Sequence, residues 1–468
     1  MIRLAPLLAL VLACGCVAAR PDWRQAAVQG ELQAMSAPAK DALLDEIERQ
    51  HFQFFVRNSD PVTGLTKDRT TAASAASIAC TGFALTAYGI AAKRGWIDRA
   101  GAAAFTRKVL GTLAKAPMGP GGQGVAGYKG FYYHFLDMHT GLRTWNCELS
   151  TVDTALMLAG ARFARNFYDQ PEEADIRNLA DQLDGRVEWP WAMAGRPVVS
   201  MGWTPEKGFI PASWEAYNES MILVLLGLGT AGHPLPDGAW GPYTAKVKPE
   251  LLYGQTHVAF GPQFGHQYSH GWVDFRGIQD PVARRLGWDW FENSRRATLA
   301  QFQYAQQNPK GWAGYGPLSW GLTACDGPGD VIKEADFGGR RVKFDWYAAR
   351  GITPADPDDG TIAPTAAAAS LPFAPEIVLP TLARWKRDRP DLWGPDGWAD
   401  GYNDTAKWVD KDRLGIDQGP IVIMLENYRS GFVWDVMKHD PVLRRGLAKA
   451  GFTGGWVSSP AEKTGTSP

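Results

Sequence analysis

Ser220-Met221-Ile222-Leu223-Val224-Leu225-Leu226-Gly227-Leu228-Gly229 is apolar on every side that a helix could present. A helix that is hydrophobic all round must be covered all round in a water-borne protein. Residues 72–92, 151–161, 364–385 and 420–428 read the same way, rich in Ala and Gly, so their helices can approach closely. Between them lie amphipathic segments with ordinary charges. In 41–56, Leu44, Ile47, Phe52 and Phe55 recur near helical spacing, and 281–307 mixes Arg, Glu and aromatics. There is no β-rich block and no long low-complexity linker. Buried helices alternating with half-exposed ones are what two concentric helical rings require. The pattern predicts an all-α protein, an (α/α)6 barrel (toroid) of inner and outer helices with loops at one end forming a floor. An α-solenoid is the competing architecture, but no sequence period of fixed length recurs.

A chain of 468 residues could hold one large domain or several ordinary ones, and its 45% apolar content supports a core. Lys plus Arg total 48 against 49 Asp plus Glu, so no basic face invites nucleic acid. The 20 tryptophans stand out, many beside Gly, Asp, Asn and Pro. Such residues suit a core and a wet, ligand-facing surface equally, because an indole has an apolar body and a polar tip. Met1-Ile2-Arg3 followed by apolar Leu4 to Ala13 reads as an export leader too short to span a bilayer. Val17-Ala18-Ala19 resembles a cleavage site, while Ala13-Cys14-Gly15-Cys16 resembles a lipoprotein box acylated at Cys16 or Cys14. The expected location is therefore the periplasm or a lipid anchor in the envelope. Cys80, Cys147 and Cys325 lack metal-ligand spacing and read as buried free thiols. The expected organisation is a leader over 1–19, a polar lead-in over 20–40, one helical domain over 41–452 and a flexible tail over 453–468.

What precedes the buried helices carries the chemistry. Before Thr151 runs Arg143-Thr144-Trp145-Asn146-Cys147-Glu148-Leu149-Ser150, with Asp153 just inside. Before Met221 runs Trp214-Glu215-Ala216-Tyr217-Asn218-Glu219-Ser220, and before Pro420 runs Leu414-Gly415-Ile416-Asp417-Gln418-Gly419. Ser150, Asn218 and Asp417 are all good helix caps, and first-turn acids favour the helix dipole. Capping, however, asks for no extra acids and no nearby indole or phenol. Charges at buried helix ends are costly unless paired or used. Acids, amides and aromatics crowded at one rim suit a saccharide cleft, where rings stack and carboxylates bind hydroxyls.

The intervening loops add Phe131 to Asp137, Gly311 to Trp320, Cys325-Asp326-Gly327 and Asp358-Asp359-Gly360, of which the Asp-Gly pairs are ordinary turn signals. Gly261 to Asp274 holds His266 and His270, four apart. Gly and Pro flanks argue for a loop, and no zinc-type glutamate lies between, so no metal is expected. There is no phosphate-binding loop, no dinucleotide fingerprint and no Gly-x-Ser-x-Gly elbow.

Taken in order, Trp145-Asn146-Cys147-Glu148-Leu149-Ser150-Thr151-Val152-Asp153-Thr154, Tyr217-Asn218-Glu219-Ser220, His270-Gly271-Trp272-Val273-Asp274, Asp417-Gln418-Gly419-Pro420 and Glu426-Asn427-Tyr428-Arg429 resemble the glycoamylase-like domain family. That family includes bacterial endo-β-1,2-glucanases of glycoside hydrolase family 144 and a domain of cyclic β-1,2-glucan synthases. The resemblance runs from about Asp41 to Phe452. It implies an (α/α)6 barrel, no cofactor, and hydrolysis of β-1,2-glucan to sophoro-oligosaccharides. It implies Glu219 as general acid, at the family's Tyr-x-Glu motif, its proton retained by partial burial beside Trp214 and Tyr217. Asp417 is the leading base, with Glu148 and Asp153 as competitors. Residues expected to touch substrate are Trp145, Asn146, Trp203, Trp214, Tyr217, His266, His270, Trp272, Asp274, Trp320 and Asp326. An inverting enzyme would need its two carboxyls about 6.5–9.5 Å apart. The expected partner is a glucan or oligosaccharide met by a monomer, with no nucleic acid and with a lipid anchor at Cys16 or Cys14 as one option. Competing readings are transglycosylation or another glucan linkage on the same fold, and a non-catalytic glycan-binding protein. A uronate lyase would need basic helix mouths, and these are acidic.

Overall fold

The computed structural model describes residues 23–458. The expected leader, with Cys14 and Cys16, and residues 459–468 of the expected tail lie outside the described residues.

The protein is mostly helical. Its principal helices are α1 (Ala37–Arg57), α2 (Ile78–Arg94), α3 (Arg99–Lys115), α4 (Thr151–Phe167), α5 (Ala174–Gly185), α6 (Met221–Gly229), α7 (Tyr268–Trp272), α8 (Trp290–Gln307), α9 (Pro364–Ala368), α10 (Pro375–Asp388), α11 (Gly415–Arg429) and α12 (Pro441–Lys449). Local chemistry sets several starts: the side chains of Ser36, Ser77, Asp98, Ser150, Asp289 and Asp440 each accept the amide three residues on. Buried and half-exposed helices alternate as the pattern requires. Every residue of α6 is buried, as is α4 from Thr151 to Ala164.

Each buried helix packs on another: α2 on α4, α4 on α6, α6 on α7, α7 and α9 on α11, and α11 back on α2. Gln267, just before α7, donates to Ala366 O at 2.9 Å and to Ser370 Oγ at 2.9 Å, tying it to α9. Glycine permits the closest crossing. A Cβ on Gly160 would strike the backbone of Gly82, and one on Gly82 would strike the backbone of Leu156. Aromatic cores fill the gaps; Trp272 stacks on Phe83 at 5.1 Å, and burying each such ring stabilises by about 1.5–3 kcal/mol.

The starts of these helices are bonded to one another, which puts them at one end. Ile78 N donates to His134 O at 3.1 Å, and His134 N donates to Glu148 O at 2.9 Å. Trp214 Nε1 donates to Thr151 Oγ1 at 2.9 Å, Ser269 Oγ to Glu219 O at 2.8 Å, and Thr365 Oγ1 to Asp417 O at 3.3 Å. Gly415 N donates to Asp68 O at 2.8 Å, closing on the segment that leads into α2. Short antiparallel ribbons fasten the loops there. Ala76–Ser77 pairs with Phe135–Leu136, Leu149–Ser150 with Gly202–Thr204, and Ala324–Asp326 with Tyr347–Ala349. Strands of two to four residues show no period, so the sequence hides them.

Several boundaries differ from the expectation. The 281–307 segment splits at Gly287, whose left-handed φ of 86° ends one helix before Asp289 caps the next. The 364–385 segment splits into α9 and α10, and α11 begins at Gly415 with Pro420 inside it. His266 and His270 lie in helical turns, Gln263–His266 and Tyr268–Trp272, rather than in an open loop. The lead-in holds a helix, Trp23–Ala34, whose Glu31 pairs with Arg387 of α10 at 2.7 Å. The first residues of the tail are fastened: Trp456 Nε1 donates to Asp274 O at 2.7 Å. Cys80, Cys147 and Cys325 are buried and unpaired, as read. Among the described residues no helix is long and apolar enough to cross a membrane.

Candidate active site

The end where the buried helices begin gathers acids of two kinds. The first kind is held by a cation. His134 lies between Glu148 and Asp153, with Nδ1 2.8 Å from Glu148 Oε1 and Nε2 3.6 Å from Asp153 Oδ2. Burial alone would lower the imidazole, but the two carboxylates raise it to about 9, so it is an imidazolium at neutral pH. Burial likewise pushes Glu148 up, and the His134 bond and charge overcome this to leave it below the usual range. On the other side Arg69 donates to Asp326 Oδ2 at 2.6 Å and to Asp68 Oδ2 at 3.2 Å, with Asp412 Oδ2 at 3.7 Å.

The second kind has no ion-pair partner among the described residues: Glu219, Asp400, Asp410 and Asp417. Glu219 Oε2, Asp400 Oδ1, Asp410 Oδ2 and Asp417 Oδ2 are buried and accept no hydrogen bond. Native proteins rarely leave buried polar atoms so, and such clusters mark places where another group is received. Glu219 stands two residues before α6, next to its cap residue Ser220, and is 9% exposed; burial, with the charge of Asp153 added, raises its carboxyl to about 7. Asp417, 4% exposed, sits in the first turn of α11, where Leu414 rather than Asp417 is the cap residue. Capping therefore does not account for its carboxylate, whereas Ser150 does cap α4 as read.

Asp417 and Asp400 form one titrating pair. Burial raises both, and Asp400 is driven furthest, by burial and then by the charge of Asp417. The two therefore exchange protons as one pair rather than as separate acids. Asp326, Asp400 and Asp410 each anchor one oxygen, on Arg69, the Asp326 amide and the Asp412 amide respectively, and each leaves the other free. Their ligand atoms lie within 4.8 Å of one another, the one set among the described residues with spacing suited to a metal ion. Free carboxylate oxygens are equally fitted to accept bonds from hydroxyl donors.

Of the residues expected here, Glu148, Asp153, Glu219, Asp326 and Asp417 are brought to this end. Trp145 stands 61% exposed beside them, and Asn146 follows it, exposed. Trp203 is half-buried in the ribbon with Leu149, and Trp214 is buried against Thr151. The rest are corrected. Tyr217 is buried, with its hydroxyl 3.0 Å from Ser294 Oγ and its ring stacked on Trp290. His266 is bonded to Tyr217 and Phe260 O, and His270 to Ser294. Trp272 and Trp320 are wholly buried, their indoles donating to Thr86 and Thr381. Asp274 follows the far end of α7 and is paired with Arg276 and Lys438. An indole or imidazole beside glycine serves a core as well as a cleft, once a threonine, serine or carbonyl satisfies its polar atom.

Sequence reading missed Asp68, Arg69, His134, Asp400, Asp410 and Asp412. Asp400-Gly401 looks like one more turn, and no local signal marks it as a neighbour of Asp417. Tyr268 was also missed; burial and then the charges of Asp417 and Glu219 push its phenol up.

The chain is similar to several known proteins. The Glycoamylase family model matches residues 211–441. An exo β-1,2-glucooligosaccharide sophorohydrolase (non-reducing end) from Parabacteroides distasonis is 26% identical over 447 residues, 87% of this chain and 58% of that protein. The chain thus spans under two thirds of that relative's length. An endo-β-1,2-glucanase from Chitinophaga pinensis, solved with sophorotriose and glucose, is 27% identical with a TM-score of 0.78, covering 90% of this chain and 100% of that one. The endo-β-1,2-glucanase of Talaromyces funiculosus, 12% identical, shares the fold with a TM-score of 0.63 over 91% of this chain and 92% of that one. The stretch that the Glycoamylase family model matches carries Glu219, Asp400 and Asp417.

Proposed function

We propose that this protein is a glycoside hydrolase that cleaves β-1,2-glucan to sophoro-oligosaccharides, with Glu219 as general acid and Asp417 as base. The observation that carries the reading is Glu219 itself. It is a nearly buried carboxyl raised to about 7, with a free oxygen, set among acids whose charges are already fixed by His134. Such a group holds its proton up to about pH 7 and can deliver it to a glycosidic oxygen. Asp417, one of a buried pair with Asp400, accepts the proton released as water attacks the anomeric carbon. Glu148 and Asp153, tied to His134, position hydroxyls and set the field around Glu219. The similarity to β-1,2-glucan hydrolases supports the linkage. The six buried helices packed one on another, with their starts at the site, support an (α/α)6 barrel.

Incubating the purified protein with glucans of defined linkage tests this directly. Short oligosaccharides and new reducing ends from β-1,2-glucan are expected; long or cyclic products would replace hydrolysis with glycosyl transfer, and binding without turnover would replace it with a glycan-binding role. The leader reading adds an exported enzyme, soluble in the periplasm or lipid-anchored through Cys16 or Cys14, which mass spectrometry of the mature N-terminus distinguishes.

A further inference from the structure

A pocket of about 500 Å³ opens beside the acids, between Pro61, Lys67 and Ala73 on one wall and Asp137, His139 and Trp145 on the other. Both walls run directly into the site. Lys67 precedes Asp68 and Arg69, the cationic arm that holds Asp326. On the opposite wall the Trp145 ring lies 5.2 Å from that of Phe135, which stacks on His134 at 4.0 Å. A line of rings therefore leads from the pocket to the imidazolium between Glu148 and Asp153.

Trp145 is presented at some cost. It is 61% exposed, and it and Asn146 both adopt left-handed backbone, with φ of 58° and 52°. Two consecutive non-glycine residues in that region are strained, and such strain persists only where surrounding structure enforces it. Here Cys147 enforces it: its Sγ accepts from Phe135 N at 3.3 Å, and its carbonyl accepts from Arg143 Nε at 2.8 Å. Arg143 is fixed in turn by Glu206 at 2.7 Å. A rigidly braced, solvent-facing indole over a polar-walled pocket is suited to stack on a sugar ring.

We propose that this pocket is a distal saccharide subsite, holding rings of the same β-1,2-glucan chain beyond those at the carboxylates, with Trp145 as its stacking platform. The inference rests on the hydrolase reading and deepens it, because a site of this kind selects for longer chains. The test compares wild type, Trp145→Ala, Trp145→Phe and the pocket-filling Ala73→Trp on long linear β-1,2-glucan and on the shortest cleaved sophoro-oligosaccharide. For Trp145→Ala and Ala73→Trp, KM on the long glucan should rise about 3- to 10-fold, the scale of one aromatic stacking contact. Their kcat, and both constants on the short substrate, should stay within about twofold, and Trp145→Phe should retain most of the affinity. Unchanged KM on long glucan in both variants overturns the subsite. Equal losses on short and long substrates overturn it as well, since they would place Trp145 at the reacting rings. If wild type cleaves no β-1,2-glucan, the hydrolase reading fails; retardation of the same variants in gels containing the polysaccharide then reads the pocket by itself, and equal retardation overturns it.

Discussion

The two sets of acids at the mouth differ in what surrounds them, although each includes members at the starts of buried helices. Glu148 and Asp153 share the imidazolium of His134, and Asp326, Asp68 and Asp412 share Arg69. Glu219, Asp400, Asp410 and Asp417 have no such counter-charge, and each leaves a buried oxygen without a donor. Pairing with His134 holds Glu148 low, burial outweighs Arg69 at Asp68, and burial without a counter-charge raises Glu219, Asp400, Asp410 and Asp417 and lets a proton come and go. One cleft can thus keep fixed negative charge for binding beside exchangeable protons for catalysis, provided the cations reach only some of its acids.

Removing an unpaired acid should have the largest effect. Glu219→Gln or Asp417→Asn should lower kcat on β-1,2-glucan by about 10²–10⁴-fold while leaving oligosaccharide binding measurable by calorimetry. If either variant keeps most of its rate, the division between catalytic and binding acids is misplaced. The next effect is on stability. A carboxyl raised from 4.5 to about 7 in the folded state stabilises below pH 4.5, and this contribution is lost as pH rises toward 7. Denaturant melts should show Glu219→Gln lacking that decline and gaining on the order of 1–3 kcal/mol relative to wild type between those limits. An identical slope in both proteins would mean that Glu219 titrates normally.

Breaking the paired side sharpens the contrast. His134→Gln should cost about 2 kcal/mol at pH 7, because two acids lose their shared cation. His134 is raised from 6.5 to about 9, so its contribution is full below 6.5 and lost as pH rises through 9; the gap should close there. A gap that stays constant to pH 10 would remove the imidazolium from the account. The smallest effect on rate belongs to Asp274→Asn. Its partners Arg276 and Lys438 lie at the far end of α7, so kcat/KM should hold within about twofold while stability falls by about 1 kcal/mol. A large loss of activity would bring that end of the molecule into the site.

Fold class was legible because the evidence for it is local. An all-apolar run such as Met221 to Gly229 has one soluble solution, and the structure buries every residue of it. Breaks inside the runs were less legible: Gly287 and the turn between α9 and α10 interrupt helices that composition alone presents as continuous. In the site, motifs flush with a helix start were readable, which is how Glu148, Asp153, Glu219 and Asp417 were reached. Tryptophans and histidines were not, since Trp272 and Trp320 are core residues while Trp145 is exposed, and all three stand in similar company in the sequence.

The sequence by itself determined which segments become buried helices and which acids stand at their starts, because burial and helix geometry follow from side chains a few residues apart. Only the tertiary structure decided which acids meet a cation. Arg69 reaches Asp326 across 257 residues, and Asp400 reaches Asp417 from a separate loop. Charge and proton affinity depend on distances of a few ångströms between remote parts of the chain, and no local pattern encodes them.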